Sequence, residues 1–210
     1  MRLNRLYEGI LRETSDFEGK DLLIVDIQPE YKSGFDYWLE DFVEFINENH
    51  NKFNTITFYY NGADTVGEMD DNDYKMWWEE NGLDEDIIYH SKFYDKGYAF
   101  FRYCMDSGIE DENISNLVKY MMINDINDSR ELDIDFWKGF MVEYGVGGEE
   151  TRELLEFSDD CINIPDLMDD LKYYNNILVC GGGQNECLRE VNIALDALDK
   201  PYQTLNKFVY

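Results

Sequence analysis

Apolar runs and helical stripes alternate along this chain, and their order predicts a fold. Leu22-Leu23-Ile24-Val25 is a continuous apolar run, the mark of a strand buried on both faces. It ends at Asp26, and Pro29 forbids pairing beyond it. Leu39, Phe42, Val43 and Ile46 then recur at the spacing of an amphipathic helix. Phe53 through Tyr60 reads as a second strand, closed by Asn61-Gly62. A polar loop from Asp64 to Asp73 leads to a helix around Tyr74–Glu80, stopped by Asn81-Gly82. Ile87-Ile88-Tyr89-His90 reads as a third strand ending near Lys92. Strands alternating with helices are the grammar of a parallel sheet with helices on its faces.

From about residue 104 to 160 the pattern turns helical. Ile114, Leu117, Val118 and Met121 make one stripe, Trp137, Phe140, Met141 and Tyr144 another, and Leu154-Leu155 mark a third short helix. This block reads as an insertion of the kind that caps a site or forms a dimer contact. The earlier grammar resumes with a short extended piece at Cys161–Ile164, and Pro165 opens a helix with Leu167, Met168 and Leu171. Ile177-Leu178-Val179-Cys180 is a buried strand that runs into Gly181-Gly182-Gly183. Leu188, Val191, Leu195 and Leu198 then line a helix stopped at Lys200-Pro201, and Tyr202–Tyr210 reads as a last strand. A short helix over residues 2–13 precedes it all. The predicted architecture is α/β: a three-layer α/β/α sandwich with a mostly parallel, Rossmann-like sheet of five or six strands. It forms one domain over residues 1–210, with the helical insertion at about 104–160.

Composition narrows the function. With 44% hydrophobic and 16% aromatic residues the chain has material for a core. The formal net charge of −28 sets it against a phosphate backbone and argues against nucleic-acid binding. That charge is either a solvated acidic surface or a face for a basic protein partner. No apolar run is long enough for a membrane span, and no targeting segment is visible, so a cytoplasmic protein is expected. Cys104, Cys161, Cys180 and Cys187 form no CxxC pair and no zinc spacing, which predicts free thiols in a reducing compartment. Only Cys187 falls at a helix start, where unpaired N–H groups and the helix dipole favour a thiolate. The glycines do not make a dinucleotide loop, because Glu186 stands where its third glycine belongs.

Asp26, Lys92 and Cys187 are therefore the candidate catalytic residues, each at a predicted strand end. An ammonium and a helix N-terminus stabilise a thiolate, while a carboxylate carries a proton away and later activates water. Base, cation and nucleophile so placed suit acyl transfer through a thioester.

The residues that carry this chemistry also carry a resemblance. Leu23-Ile24-Val25-Asp26-Ile27-Gln28 with Tyr31, Lys92 followed by Tyr98-Ala99-Phe100, and Gly181 six residues before Cys187 resemble the motifs of the isochorismatase-like cysteine hydrolases, which include nicotinamidases. Asp196-Ala197 and Tyr202 resemble the end of that family's cysteine-bearing helix. The resemblance covers roughly residues 21–103 and 161–210. It implies a hydrolase that cleaves an amide-like C–N bond of a small molecule. Cys187 would attack, Asp26 would serve as base and acid, and Lys92 would orient the substrate and stabilise charge. It also implies a backbone oxyanion hole at Gly182, Gly183 and Cys187, a cis peptide just before the nucleophile, and an oligomer. Departures point to the alternative, a catalytically inactive relative that acts as an acidic interaction module. The metal-binding histidines of some nicotinamidases have no counterpart: Asp64 is in the right loop, but His50 and His90 are elsewhere, so neither metal nor cofactor is expected. Val191-Asn192 replaces the family's Thr-Ala, and Asp196-Ala197 falls two residues late. Sliding the alignment by two would put Arg189 in the nucleophile's slot. The Cys187 register is preferred because Gly181 then ends the strand directly.

Overall fold

The computed structural model describes residues 17–61, 69–95, 99–106, 108–126, 135, 138–139, 142–143 and 167–210. The predicted helix over 2–13, residues 64–68 of the polar loop, the stripe positions 137, 140, 141 and 144, the helix at 154–155 and the extended piece at 161–164 lie outside them. The chain divides into two compact units: Met1–Asp95 with Tyr174–Gln184 and Tyr202–Tyr210, and Lys96–Tyr173 with Asn185–Pro201.

The first unit holds a five-stranded sheet, β1 (Asp21–Val25), β2 (Thr55–Tyr60), β3 (Lys92–Asp95), β4 (Ile177–Gly181) and β5 (Tyr202–Thr204). Every pairing is parallel and the order is β3-β2-β1-β4-β5. β1 and β4 are buried at every residue, as their unbroken apolar runs require. With its flanking helices this is an α/β, Rossmann-like fold consistent with three layers. In register, Leu23 is level with Thr57 and Val179, and Val25 with Tyr59 and Gly181.

Among the described residues this unit carries the α-helices α1 (Lys32–Phe35), α2 (Leu39–Asn49), α3 (Asp71–Glu80) and α4 (Glu85–His90). The α2 stripe Leu39, Phe42, Val43 and Ile46 is buried, and with Trp78 of α3 and Ile87 of α4 it joins Leu22, Ile24, Phe58 and Cys180 from one sheet face in a single core. That core is built largely from rings. Phe42, Phe45 and Trp38 surround Phe208 at centroid distances of 4.9 to 5.6 Å, and burial of each such ring is worth about 1.5–3 kcal/mol. Asp70 caps α3, its carboxylate accepting from the Asn72 and Asp73 amides at 2.8 and 2.9 Å.

Two elements differ from the sequence reading. Residues 87–90 are not a strand but the end of α4. Asp84 precedes that helix and Glu85 and Asp86 occupy its first turn, where carboxylates suit the dipole. Ile87 is buried while Tyr89 points to solvent. The third strand begins at Lys92, an edge strand whose Phe93 stacks on Phe58 of β2 at 4.7 Å. The last strand is also shorter than expected: β5 stops at Thr204 and a 3-10 turn over Asn206–Phe208 follows.

The second unit contains α5 (Ala99–Asp106), α6 (Asp111–Ile123), α7 (Leu167–Leu171) and α8 (Cys187–Ala197). The predicted stripe Ile114, Leu117, Val118 and Met121 is the buried face of α6. It packs on α8, where Ser115 Oγ donates to the Ile193 carbonyl at 3.2 Å and Arg189 forks onto the Asp111 carboxylate. Among the described residues no helix is long and apolar enough to cross a membrane.

Candidate functional site

Strand order fixes where a ligand would go. From β1 the chain winds outward through β2 and β3, then returns to place β4 and β5 on the other side. The order reverses between β1 and β4, and open α/β sheets bind ligands outside the carboxyl ends of the strands at that switch point. Asp26 follows the last residue of β1, and Gly182 follows the last residue of β4, directly alongside.

Asp26 is fully buried and has a left-handed backbone, with φ of 46°. Aspartate tolerates that region better than most residues, yet it is sparsely populated, and such conformations persist only where the surroundings over-determine them. Here they do. The Asp26 amide donates to the Tyr59 carbonyl at 2.8 Å, and its carbonyl accepts from Tyr210 Oη at 3.0 Å. The next carbonyl, of Ile27, accepts from Tyr74 Oη at 2.8 Å. Gln28 then brackets Asn61, accepting from its amide at 2.9 Å and donating to its carbonyl at 3.3 Å. Tyr74 is fully buried, and burial holds its phenol well above the ordinary tyrosine range, with the charge of Asp26 adding to the effect.

The glycine turn is equally constrained. Gly181 and Gly182 have φ of 78° and 59°, and a Cβ on Gly181 would collide with the Val25 carbonyl oxygen. No cis peptide occurs among the described residues, so the cis bond implied by the resemblance is absent from this turn. Two left-handed glycines reverse the chain there instead. Gly182 is buried, Gly183 half-buried, and the Gln184 amide donates to the Tyr210 carbonyl at 2.8 Å.

Lys92 stands elsewhere than expected. It opens β3 rather than closing a strand, level with Thr57 and therefore with Leu23. Asp26 is three residues further along, about 10 Å in strand rise. The Lys92 amine donates to Tyr174 Oη at 3.1 Å and lies 4.8 Å from the centre of that ring. Tyr174 Oη in turn bonds Thr57 Oγ1 at 2.9 Å. The structure thus does not gather Lys92 with Asp26 at the carboxyl ends.

In the second unit Cys187 is the first residue of α8 and is 4% exposed. Its neighbour is an arginine that the sequence reading did not single out. Arg102 Nη2 is 3.8 Å from Cys187 Sγ, and Arg102 Nε donates to Glu190 Oε1 at 2.9 Å. Glu190 is 1% exposed and lies in the first turn of α8, so its carboxylate fixes the guanidinium beside the sulfur. The signal was present: Arg102 is the one cation in Ala-Phe-Phe-Arg-Tyr-Cys-Met-Asp, just after the Ala99-Phe100 pair. Cys104 and Cys180 are buried thiols, and burial pushes Cys104 up to about 12 and Cys180 higher still. Arg189, the rival for the nucleophile's slot, is bound to Asp111.

Among the described residues no three His, Cys, Asp or Glu are placed to hold a metal ion. His50 and His90 line a hollow of about 190 Å³ at the amino-terminal end of β2, each with Nδ1 on a backbone carbonyl of its own helix region. No protein-family model matches the chain, and neither a curated protein nor a solved structure matches it.

Proposed function

We propose that this protein is a cysteine hydrolase that cleaves an amide-like C–N bond of a small molecule, with Cys187 as nucleophile. One observation carries it: the Cys187 sulfur, at a helix N-terminus, has the Arg102 guanidinium at 3.8 Å. A fixed cation and unpaired helical amides are what a nucleophilic thiolate needs, and a purely structural thiol needs neither. Arg102 takes the part that the resemblance gave to Lys92.

The thiolate adds to the substrate carbonyl carbon, and the C=O electron pair moves onto oxygen. That pair returns, the C–N bond breaks, and the amine leaves with the proton that the thiol gave up. Water then attacks the thioester, the C–S bond breaks, the acid departs with the water's hydroxyl group, and the water's remaining proton restores the thiol. The backbone N–H of Cys187, at the start of α8, is the donor for the oxyanion.

The test is release of amine or ammonia from a panel of small aliphatic and aromatic amides, with acid quenching and mass mapping of Cys187. Turnover with an acyl adduct on Cys187, reduced about a thousandfold or more in Cys187→Ala, is the expected result. No turnover of any amide, or undiminished turnover in Cys187→Ala, overturns the proposal. The placement of Lys92 favours a second reading, an inactive relative acting through its acidic surface. In that case a basic protein partner binds equally well to wild type and Cys187→Ala.

A further inference from the structure

We propose that the hollow at the amino-terminal end of β2 is a binding site for a small guanidinium cation. The hollow lies wholly within the first unit, at the end of the sheet away from the switch point, and its chemistry is independent of Cys187.

The chain has two histidines, one just after α2 and one at the end of α4, and both line this hollow of about 190 Å³. Its walls offer mostly acceptors. His50 Nδ1 donates to the Asn47 carbonyl at 3.0 Å, and His90 Nδ1 to the Asp86 carbonyl at 2.8 Å. A carbonyl only accepts, so each neutral ring carries its proton on Nδ1 and keeps a lone pair on Nε2. The Asp86 carboxylate adds a negative charge, its Oδ1 3.5 Å from His90 Nδ1. Neighbouring donors are spent elsewhere. Asn54 Nδ2 and Thr55 Oγ1 both donate to Asp21 at 2.7 Å, and the Ser91 amide donates to the Ile87 carbonyl at 2.9 Å. No lysine or arginine is among the described residues that line the hollow.

Three acceptors and no cation call for a positively charged donor. Phe53, Ile56 and Ile87, all buried, supply an apolar part of the lining, while Asp86 and His90 are exposed. That wall does not suit a bare metal ion, and His50, Asp86 and His90 are not placed to share one. An ammonium aims its donors from a single atom. A guanidinium spreads five N–H groups around a plane, is weakly hydrated, and can reach separate acceptors while its flat face lies on apolar side chains.

Two histidines give two imidazole Cε1–H resonances, so NMR reads the site directly. Agmatine, an alkylguanidinium, added to the full chain at pH 8 and constant ionic strength should move both resonances to a plateau at about millimolar concentration. Saturating agmatine should also carry the acid–base midpoint of each resonance to lower pH, because ligand and proton compete for Nε2 and the cation favours the neutral ring. A capped Gly-Arg-Gly peptide separates two sources of the same group. A plateau with the peptide marks an arginine of a basic protein as the occupant, and a plateau with agmatine alone marks a free small molecule. Asp86→Asn and His90→Ala, both at exposed positions, should each weaken binding about fivefold. Tetramethylammonium, a cation without N–H groups, is the control. Shifts equal to those it causes, or shifts that grow without a plateau up to about 50 mM with both ligands, overturn the proposal. So does binding that is unchanged in both variants.

Discussion

At Cys187 the sulfur has an arginine within hydrogen-bond range, and a guanidinium keeps its charge at every working pH. Glu190 takes one edge of that fork, which orients the other toward the sulfur. The consequence is measurable as selectivity among thiols. In the native protein at pH 8, iodoacetamide should label Cys187 ahead of Cys104 and Cys180, whose thiols burial keeps protonated. Arg102→Gln should slow labelling of Cys187 about five- to tenfold, whereas Arg102→Lys, which keeps the charge, should retain most of the rate. Labelling as fast in the Gln variant as in wild type, at unchanged thermal stability, would show that the arginine only packs against the sulfur. The place of Cys187 at a helix start was legible in the sequence, because glycines ending an apolar run mark a strand-to-helix turn. The cation was not. Which lysine or arginine reaches a sulfur depends on helix packing, and a chain with 18 basic residues offers many candidates.

Among the elements, the strands were readable where burial on both faces forces a continuous apolar run, as in β1 and β4. The edge of the sheet was not. β3 is Lys-Phe-Tyr-Asp, short and charged at both ends, as edge strands are when they must resist pairing with other chains. Its neighbour α4 has two adjacent isoleucines, which look like strand residues unless the acidic first turn is weighed against them. The same edge-versus-centre logic identifies what aligns the strands at their amino ends. Asp21 opens β1, 3% exposed, and its carboxylate accepts from Asn54 Nδ2, Thr55 Oγ1 and the Asn175 amide, each at 2.7 Å. One side chain thus joins the entries to β2 and β4 to β1. Asp21→Ala leaves three donors without their acceptor and should cost about 2–4 kcal/mol in urea unfolding followed by circular dichroism. Asn54→Ala, which removes one donor and leaves the carboxylate two others, should cost under about half as much. Equal losses would mean that Asp21 acts through that single bond.

For the whole molecule the governing quantity is a net charge of −28, from 46 acidic and 18 basic residues. Several of the basic groups are already committed: Arg102 to Glu190, Arg189 to Asp111, Lys119 to Asp199, Lys172 to Asp169. The remaining excess of carboxylates repels itself, and that repulsion is stronger in the compact state than in the expanded one. At 0.01 M salt the screening length is about 30 Å, enough for charges to act across a domain of this size; at 1 M it is about 3 Å, and only touching pairs still interact. Sodium chloride should therefore raise the unfolding temperature, by several degrees between 0.01 and 1 M, with most of the gain below about 0.3 M where the screening length falls fastest. The exposed ion pairs weaken over the same range, but each contributes under about 1 kcal/mol and they are few beside the uncompensated carboxylates. Scanning calorimetry at pH 7.5 separates the two terms: a rise with salt means that self-repulsion dominates the folded state, and a fall means that the paired charges, though outnumbered, hold it together.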